Sequence, residues 1–184
     1  ADHLLSRKAD ATYAANVIAA WADRYLGAGK AGNQAEDAVA EPGTVAVRET
    51  GTGKFTNSIS TGGQHSLIAD EPVSVGGNDQ GPTPYDLLLS ALGACKTMTM
   101  RMYADRKGLP LDRVGVTLRH DKIHAEDCAE CETDEGMIDR IQTEIKIIGD
   151  MDDETRRKIY AIADRCPVHR SLTSEVKIES TLRE

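Results

Sequence analysis

The sequence predicts an α+β fold, with helices packed on one face of a mainly antiparallel sheet. Three observations point there. Segments of period-two alternation come in groups before and after a helical segment, rather than alternating singly with helices as a doubly wound fold requires. The two main helical segments each begin on a recognisable cap. The turn signals GTG and TGG separate the early alternating segments at hairpin distances.

The elements follow in chain order. Arg7 to Leu26 reads as a helix, with Ala11, Ala14, Ala15, Ile18, Ala22 and Tyr25 approximating one face. Gly27 to Gly43 is rich in Gly, Ala and charge, has no period, and reads as a linker. The expected organisation is therefore a terminal helix over 1–26, a linker over 27–43 and one folded domain over 44–184. Three short strands follow, around Val45–Val47, Phe55–Ile59 and Ser66–Ile68. A loop, GGNDQGPTP, leads to the first capped helix. Thr83 is the cap, Pro84 suits the first helical position, and Asp86 falls three residues after the cap. This helix runs to about Lys107, where Gly108 and Pro110 stop it. Its first half is apolar all round, the mark of a helix covered on several sides.

Val114, Val116, Leu118 and His120 share one strand face, and Ile141, Thr143, Ile145 and Ile147 share another. Asp152 caps a second helix with acids in its first turn, as the helix dipole favours. Pro167 limits it, placing Cys166 at or just past its end. Glu175 to Leu182 alternates strictly and predicts a last strand.

Composition narrows the function. The chain has 184 residues, 40% hydrophobic and only 4% aromatic, so its core is aliphatic. Its net charge of −8 argues against nucleic-acid and phospholipid partners. No apolar run approaches the roughly 20 residues needed to span a bilayer, and no secretory signal is visible. With four cysteines, the expectation is a cytoplasmic protein in which cysteine serves catalysis or metal binding. The first residue is Ala1, not methionine, which points to a longer polypeptide.

Two sets of residues bear on chemistry. Leu88, Leu92, Cys95, Thr99 and Met102 fall at core spacing, so by period alone Cys95 reads as core filler. Cys166 lies in DRCPVHRSL, where His169 and Arg170 are cations able to make a thiol reactive. The second set is HDKIHAEDCAEC, which holds His120, His124, Cys128 and Cys131 at His-x3-His-x3-Cys-x2-Cys spacing. It reads in three ways: an acidic hairpin with incidental cysteines, a redox pair, or a zinc site.

The stretch GPTPYDLLLSALGAC, with RCPVH further on, resembles the OsmC/Ohr family of osmotically inducible and organic hydroperoxide resistance proteins. The resemblance runs from about Gly43 to the end. It implies a sheet wrapped around a long central helix, an intertwined homodimer with sites at the interface, and thiol-dependent reduction of organic hydroperoxides. Carried over, Cys95 is the peroxidatic thiol and Cys166 the resolving one. The resemblance also implies a small organic peroxide as substrate and an external dithiol or redoxin as reductant, with no bound cofactor. The aliphatic setting of Cys95 suits a bulky peroxide.

Two departures stand out. Tyr85 occupies the place of the family's glutamate, with Asp86 one residue late; the plainer reading of Asp86 is a first-turn capping carboxylate. No arginine aligns with the family's, which leaves Arg48, Lys54, His65, Arg101, His169 and Arg170 as candidate cations. The first 26 residues resemble the C-terminal end of an α/β-hydrolase, with His3 in the place of its catalytic histidine. Two other functions stay open beside the peroxidase: a non-catalytic dimerisation or ligand-binding module, and a redox- or zinc-responsive variant governed by Cys128 and Cys131.

Overall fold

The computed structural model describes residues 11–18, 40–62, 65–129, 131, 133 and 135–182. The chain divides into two compact units, Ala1–Ala46 with Thr61–Gln64, and Val47–Ser60 with His65–Glu184. In the first unit residues 11–18 are helical (α1), and Tyr13, Val17 and Ile18 are exposed on it. His3 and most of the hydrolase-like stretch and linker lie outside the described residues.

Among the described residues five strands form two sheets, where one sheet was expected. β1 (Val45–Glu49), β2 (Asn57–Thr61) and β3 (His65–Ala69) make a three-stranded sheet in that order. β4 (Arg113–His124) and β5 (Met137–Ile148) make a long antiparallel hairpin, in register from Arg113↔Ile148 to His124↔Met137. Residues Val114, Val116, Leu118 and His120 share one half-buried face of β4, and Ile141, Thr143, Ile145 and Ile147 share one of β5. A side-chain period of two places alternate residues on one face, so this hairpin was readable from sequence.

After β3 the chain turns around the buried carboxylate of Asp70. It accepts from the Thr56 hydroxyl (3.1 Å) and from the backbone N–H groups of Glu71 (2.8 Å), Asn78 (3.2 Å) and Gln80 (3.3 Å). Gly77 completes this loop, because a Cβ there would stand 1.8 Å from the Glu71 carbonyl oxygen. The loop delivers the chain to α2 (Pro84–Lys107).

α2 opens on a full capping box. Thr83 Oγ1 accepts from the Asp86 amide (3.2 Å), and Asp86 Oδ2 accepts from the Thr83 amide (2.9 Å). Gly108 ends the helix in the left-handed conformation at φ 62°. α3 (Asp153–Ile162) is capped by Asp152, which accepts from the Thr155 amide at 2.7 Å. A tight turn over Ala163–Arg165 then leads to a short helix, α4 (Pro167–Leu172), absent from the sequence expectation.

The core centres on Met100, Ala104, Leu111, Ile159 and Ala163, with Val114, Val116, Ile145 and Ile147 of the hairpin packed against it. Two expectations are corrected. The buried stripe of α2 is Leu92, Gly93, Lys96, Met100 and Ala104, not the stripe through Cys95; Leu88 and Met102 face outward. Residues 175–182 form no strand, and Val176, Ile178 and Leu182 are exposed. Alternation marks the capacity to pair, but a strand exists only where a neighbouring strand accepts its hydrogen bonds.

Candidate active site

α2 carries Cys95 on the border between two faces. The next residue, Lys96, turns onto the buried face and is 1% exposed, while Cys95 is half-buried. A helix advances about 100° per residue, so adjacent residues can belong to different environments.

Cys166 reaches the same place from the other end of the domain. It is fully buried and caps α4, with Pro167 as the first helical residue. Its Sγ accepts from the His169 amide at 3.3 Å. The Cys95 and Cys166 thiols are near enough for one to act on the ionisation of the other, although 71 positions separate them in the sequence. Burial pushes the Cys166 thiol above its ordinary range, and the Cys95 thiol adds to that. The His169 amide and the charge of Lys96 pull the other way.

Lys96 is the cation that the sequence reading missed. Its Nζ donates to Asp164 Oδ1 at 2.5 Å, on the tight turn just before Cys166. Asp164 Oδ1 also lies 3.8 Å from His169 Nδ1. The signal was present: Leu92, Lys96, Met100 and Ala104 recur at i+4 spacing, so Lys96 is a lone charge in an apolar stripe. Such a charge is found inside a protein only when paired.

Beside this pair lies a cavity of about 250 Å³, lined by Lys96, Asp164, His169, Asp139, Thr143 and Thr173 over a floor of Leu92, Ile141 and Leu172. Its wall is more polar than the aliphatic pocket expected around the cysteines.

The other predicted residues fall as follows. Asp86 is committed to the α2 cap. Tyr85 stacks on His120, with ring centroids 4.1 Å apart. His120 Nε2 pairs with Asp139 Oδ1 at 2.8 Å, and His124 is exposed at the end of β4. Cys128 and Cys131 are joined by a disulfide. Of the four residues of the zinc arrangement, His120 pairs with a carboxylate, His124 is exposed and the two sulfurs bond each other, and among the described residues no metal-holding group forms. Arg101 binds the Leu111 and Asp112 carbonyls, Lys54 sits over the Phe55 ring, and Arg170 is exposed.

A family model described as OsmC-like protein matches residues 76–181, more than half of the sequence and the whole of this site. The chain belongs to the OsmC-like protein family. Solved structures agree on the fold. An osmotic stress induced and detoxification response protein of Psychrobacter arcticus superposes with a TM-score of 0.53 at 23% identity, covering 73% of this chain and 90% of that one. An organic hydroperoxide resistance protein OsmC from Legionella pneumophila gives 0.52 at 19%, covering 70% and 87%. An OsmC-like protein from Mycoplasma pneumoniae gives 0.52 at 21%, covering 71% and 84%. Among curated proteins none matches in sequence. Within this OsmC-like domain, the buried cation near the cysteines is Lys96, from α2 itself. Among the described residues, no helix is long and apolar enough to cross a membrane.

Proposed function

We propose that the protein reduces organic hydroperoxides through Cys95 and Cys166. One observation carries this reading: two unbonded thiols from distant parts of the chain lie near enough to act on each other, with a buried ammonium beside them. The accessible member, Cys95, meets the peroxide. Its thiolate attacks the terminal oxygen, the O–O bond breaks, and the alkoxide leaves to take up a proton as an alcohol. Cys95 becomes a sulfenic acid. The Cys166 thiolate attacks that sulfur, water leaves, and a disulfide joins the two residues. Lys96 favours the Cys166 thiolate, working in part against the burial that holds the thiol above its ordinary range. An external dithiol then restores both thiols by exchange, so the reading calls for no bound cofactor and for a reducing compartment such as the cytoplasm.

The working unit is a homodimer in this reading. The outward face of α2 presents Leu88, Ala91, Met98 and Met102 at i, i+3, i+10 and i+14, with Met98 and Met102 64% and 71% exposed. This apolar stripe borders Cys95, and the unpaired segment 175–182 offers further apolar residues. A second copy of the chain covers both.

The test is to treat reduced protein with one equivalent of cumene hydroperoxide, alkylate the free thiols and map them by mass spectrometry. A Cys95–Cys166 disulfide with release of cumyl alcohol is expected. Both cysteines remaining free would sink the proposal and favour the alternative of a non-catalytic module, which the raised Cys166 thiol also suits.

A further inference from the structure

The cavity beside the cysteines is walled by sequence neighbours of both. Leu92 and Lys96 flank Cys95 on α2, and Asp164 and His169 flank Cys166. The hairpin wall is one face of β5, where Asp139, Ile141 and Thr143 follow at alternate positions. At about 250 Å³ the cavity lies below the roughly 300–1,000 Å³ of pockets for drug-sized ligands, so it suits a small molecule rather than a lipid chain.

This wall carries polar capacity that the protein leaves unused. Lys96 is 1% exposed, and an ammonium has three N–H donors. Among the described residues only Asp164 accepts from it, through Oδ1. A buried ammonium with donors to spare is costly until an oxygen reaches it. Asp164 faces His169 through the same Oδ1, and Asp139 meets His120 and Lys122 through its own Oδ1. Each carboxylate therefore keeps Oδ2 without a protein partner among the described residues. The cavity presents spare donors on its helix wall and spare acceptors elsewhere.

Asp139 is the better supported of the two carboxylates. His120 Nε2 lies 2.8 Å from Oδ1, Lys122 stands directly across the ladder at 3.6 Å, and Tyr85 stacks on the His120 ring. The His120 hydrogen bond and the Lys122 charge hold its carboxyl below the ordinary carboxylate range, so it is ionised at neutral pH. Lys122 is more than half exposed, and water screens its charge. A charged group oriented by a supporting shell, with one oxygen unspent at a cavity, is built to bind a cation.

We propose that this cavity selects small organic peroxides bearing an ammonium group, which Asp139 binds while the spare Lys96 donors take the peroxide oxygens beside Cys95. The inference rests on the peroxidase reading above and names its substrate class. The ammonium gives Asp139 Oδ2 the donor it lacks, and the peroxide gives Lys96 an acceptor. A carboxylate in the ammonium's place meets Asp139 and Asp164 and is repelled.

The hydroperoxides of leucinamide, N-acetylleucinamide and N-acetylleucine share one side chain and carry an ammonium, no charge and a carboxylate. Reduced protein is mixed with each, and separately with cumene hydroperoxide, and Cys95 oxidation is timed by alkylation and mass spectrometry. The chain's net charge of −8 attracts any cation, so rates are compared at about 0.5 M salt, where that long-range attraction is screened. The ammonium peroxide should oxidise Cys95 about fivefold faster than the neutral one, the factor a partly screened ion pair supports, with the carboxylate peroxide slowest. Asp139→Asn should bring the ammonium-to-neutral ratio close to one, and Asp139→Lys should place the carboxylate peroxide first. Glu154→Gln removes the same charge from the exposed surface of α3 and should keep the wild-type ratio. Equal rates for the three matched peroxides on wild type, with cumene hydroperoxide still active, overturn the inference and leave the peroxidase reading intact. A ratio that survives in both Asp139 variants, or is lost in the Glu154 variant, overturns it as well. The wild-type order needs no substitution, so it decides the matter even where an Asp139 variant does not fold. No oxidation of Cys95 by any of the four peroxides overturns both readings.

Discussion

The buried pair Lys96–Asp164 gives a prediction with an asymmetric outcome. The Lys96 side chain is 2% exposed, whereas that of Asp164 is 60% exposed. Asp164→Asn removes the charge that accompanies the ammonium into the core. Removing one partner of a fully buried pair costs about 3–5 kcal/mol. Because Asp164 sits largely in water, its attraction is partly screened, and the expected loss falls to about 2–3 kcal/mol. Lys96→Met fills the same space with an unbranched apolar chain and lets Asp164 return fully to water. Replacing a buried ion by an apolar residue of similar volume is near neutral, so a change within about 1 kcal/mol is expected. Urea unfolding followed by circular dichroism separates the two. With a slope of about 2 kcal/mol per molar urea, the Asn variant should unfold roughly 1 M earlier than wild type and the Met variant near it. The chemical readout runs the other way. Lys96→Met should slow attack by Cys166, so the Cys95 sulfenic acid accumulates and is captured by a dione probe; Lys96→Arg should restore disulfide formation. Equal destabilisation by both changes, or a Met variant less stable than the Asn variant, would refute the electrostatic account of this pair.

Met98→Glu places a charge in the middle of the exposed α2 stripe, and sedimentation should show a monomer where wild type gives a dimer; an unchanged dimer removes this face from the interface. Burial alone would raise the Asp70 carboxyl, but the amides of Glu71, Gln80 and Asn78 and the Thr56 hydroxyl hold it below the ordinary carboxylate range. A depressed folded value adds stability that is present above the unfolded value and lost as pH falls through the folded one. Wild type should therefore lose stability below about pH 4, and Asp70→Asn, less stable at pH 7, should show a flatter acid limb in urea unfolding at a series of pH values.

The parts of the fold legible in sequence were those whose cause is local. Thr83, Pro84 and Asp86 start α2 by hydrogen bonds made within four residues, and Asp152 does the same for α3. β4 and β5 were readable because each has one half-buried face. The misread parts depend on what lies opposite. α2 has two apolar stripes, one covered by the domain and one bare, and their residues interleave so that period alone cannot choose between them. Residues 175–182 alternate as a strand should, yet no described strand pairs with them. Of the candidate site, both cysteines were named from the family resemblance. Lys96 was not, because a charge next to a cysteine in sequence points to a different side of the helix. The histidine and cysteine spacing of 120–131 fitted a metal as well as a disulfide, because spacing alone does not say whether the two sulfurs meet each other or a common ion.

The position of Cys95 at the seam of α2 ties the chemistry to the assembly. On its buried side stands Lys96, which draws Asp164 and the Cys166 turn into contact with the helix. On its outward side lie Leu88, Ala91 and Met98, left bare by the single chain. A thiol facing open water would react with any oxidant, and one sealed in the core would react with none. A second copy laid on the bare stripe walls one side of Cys95 with apolar groups while the Lys96 side stays polar. In the proposed reading peroxide specificity depends on this surface, so a substitution that separates the copies should weaken the preference of Cys95 for bulky organic peroxides over hydrogen peroxide.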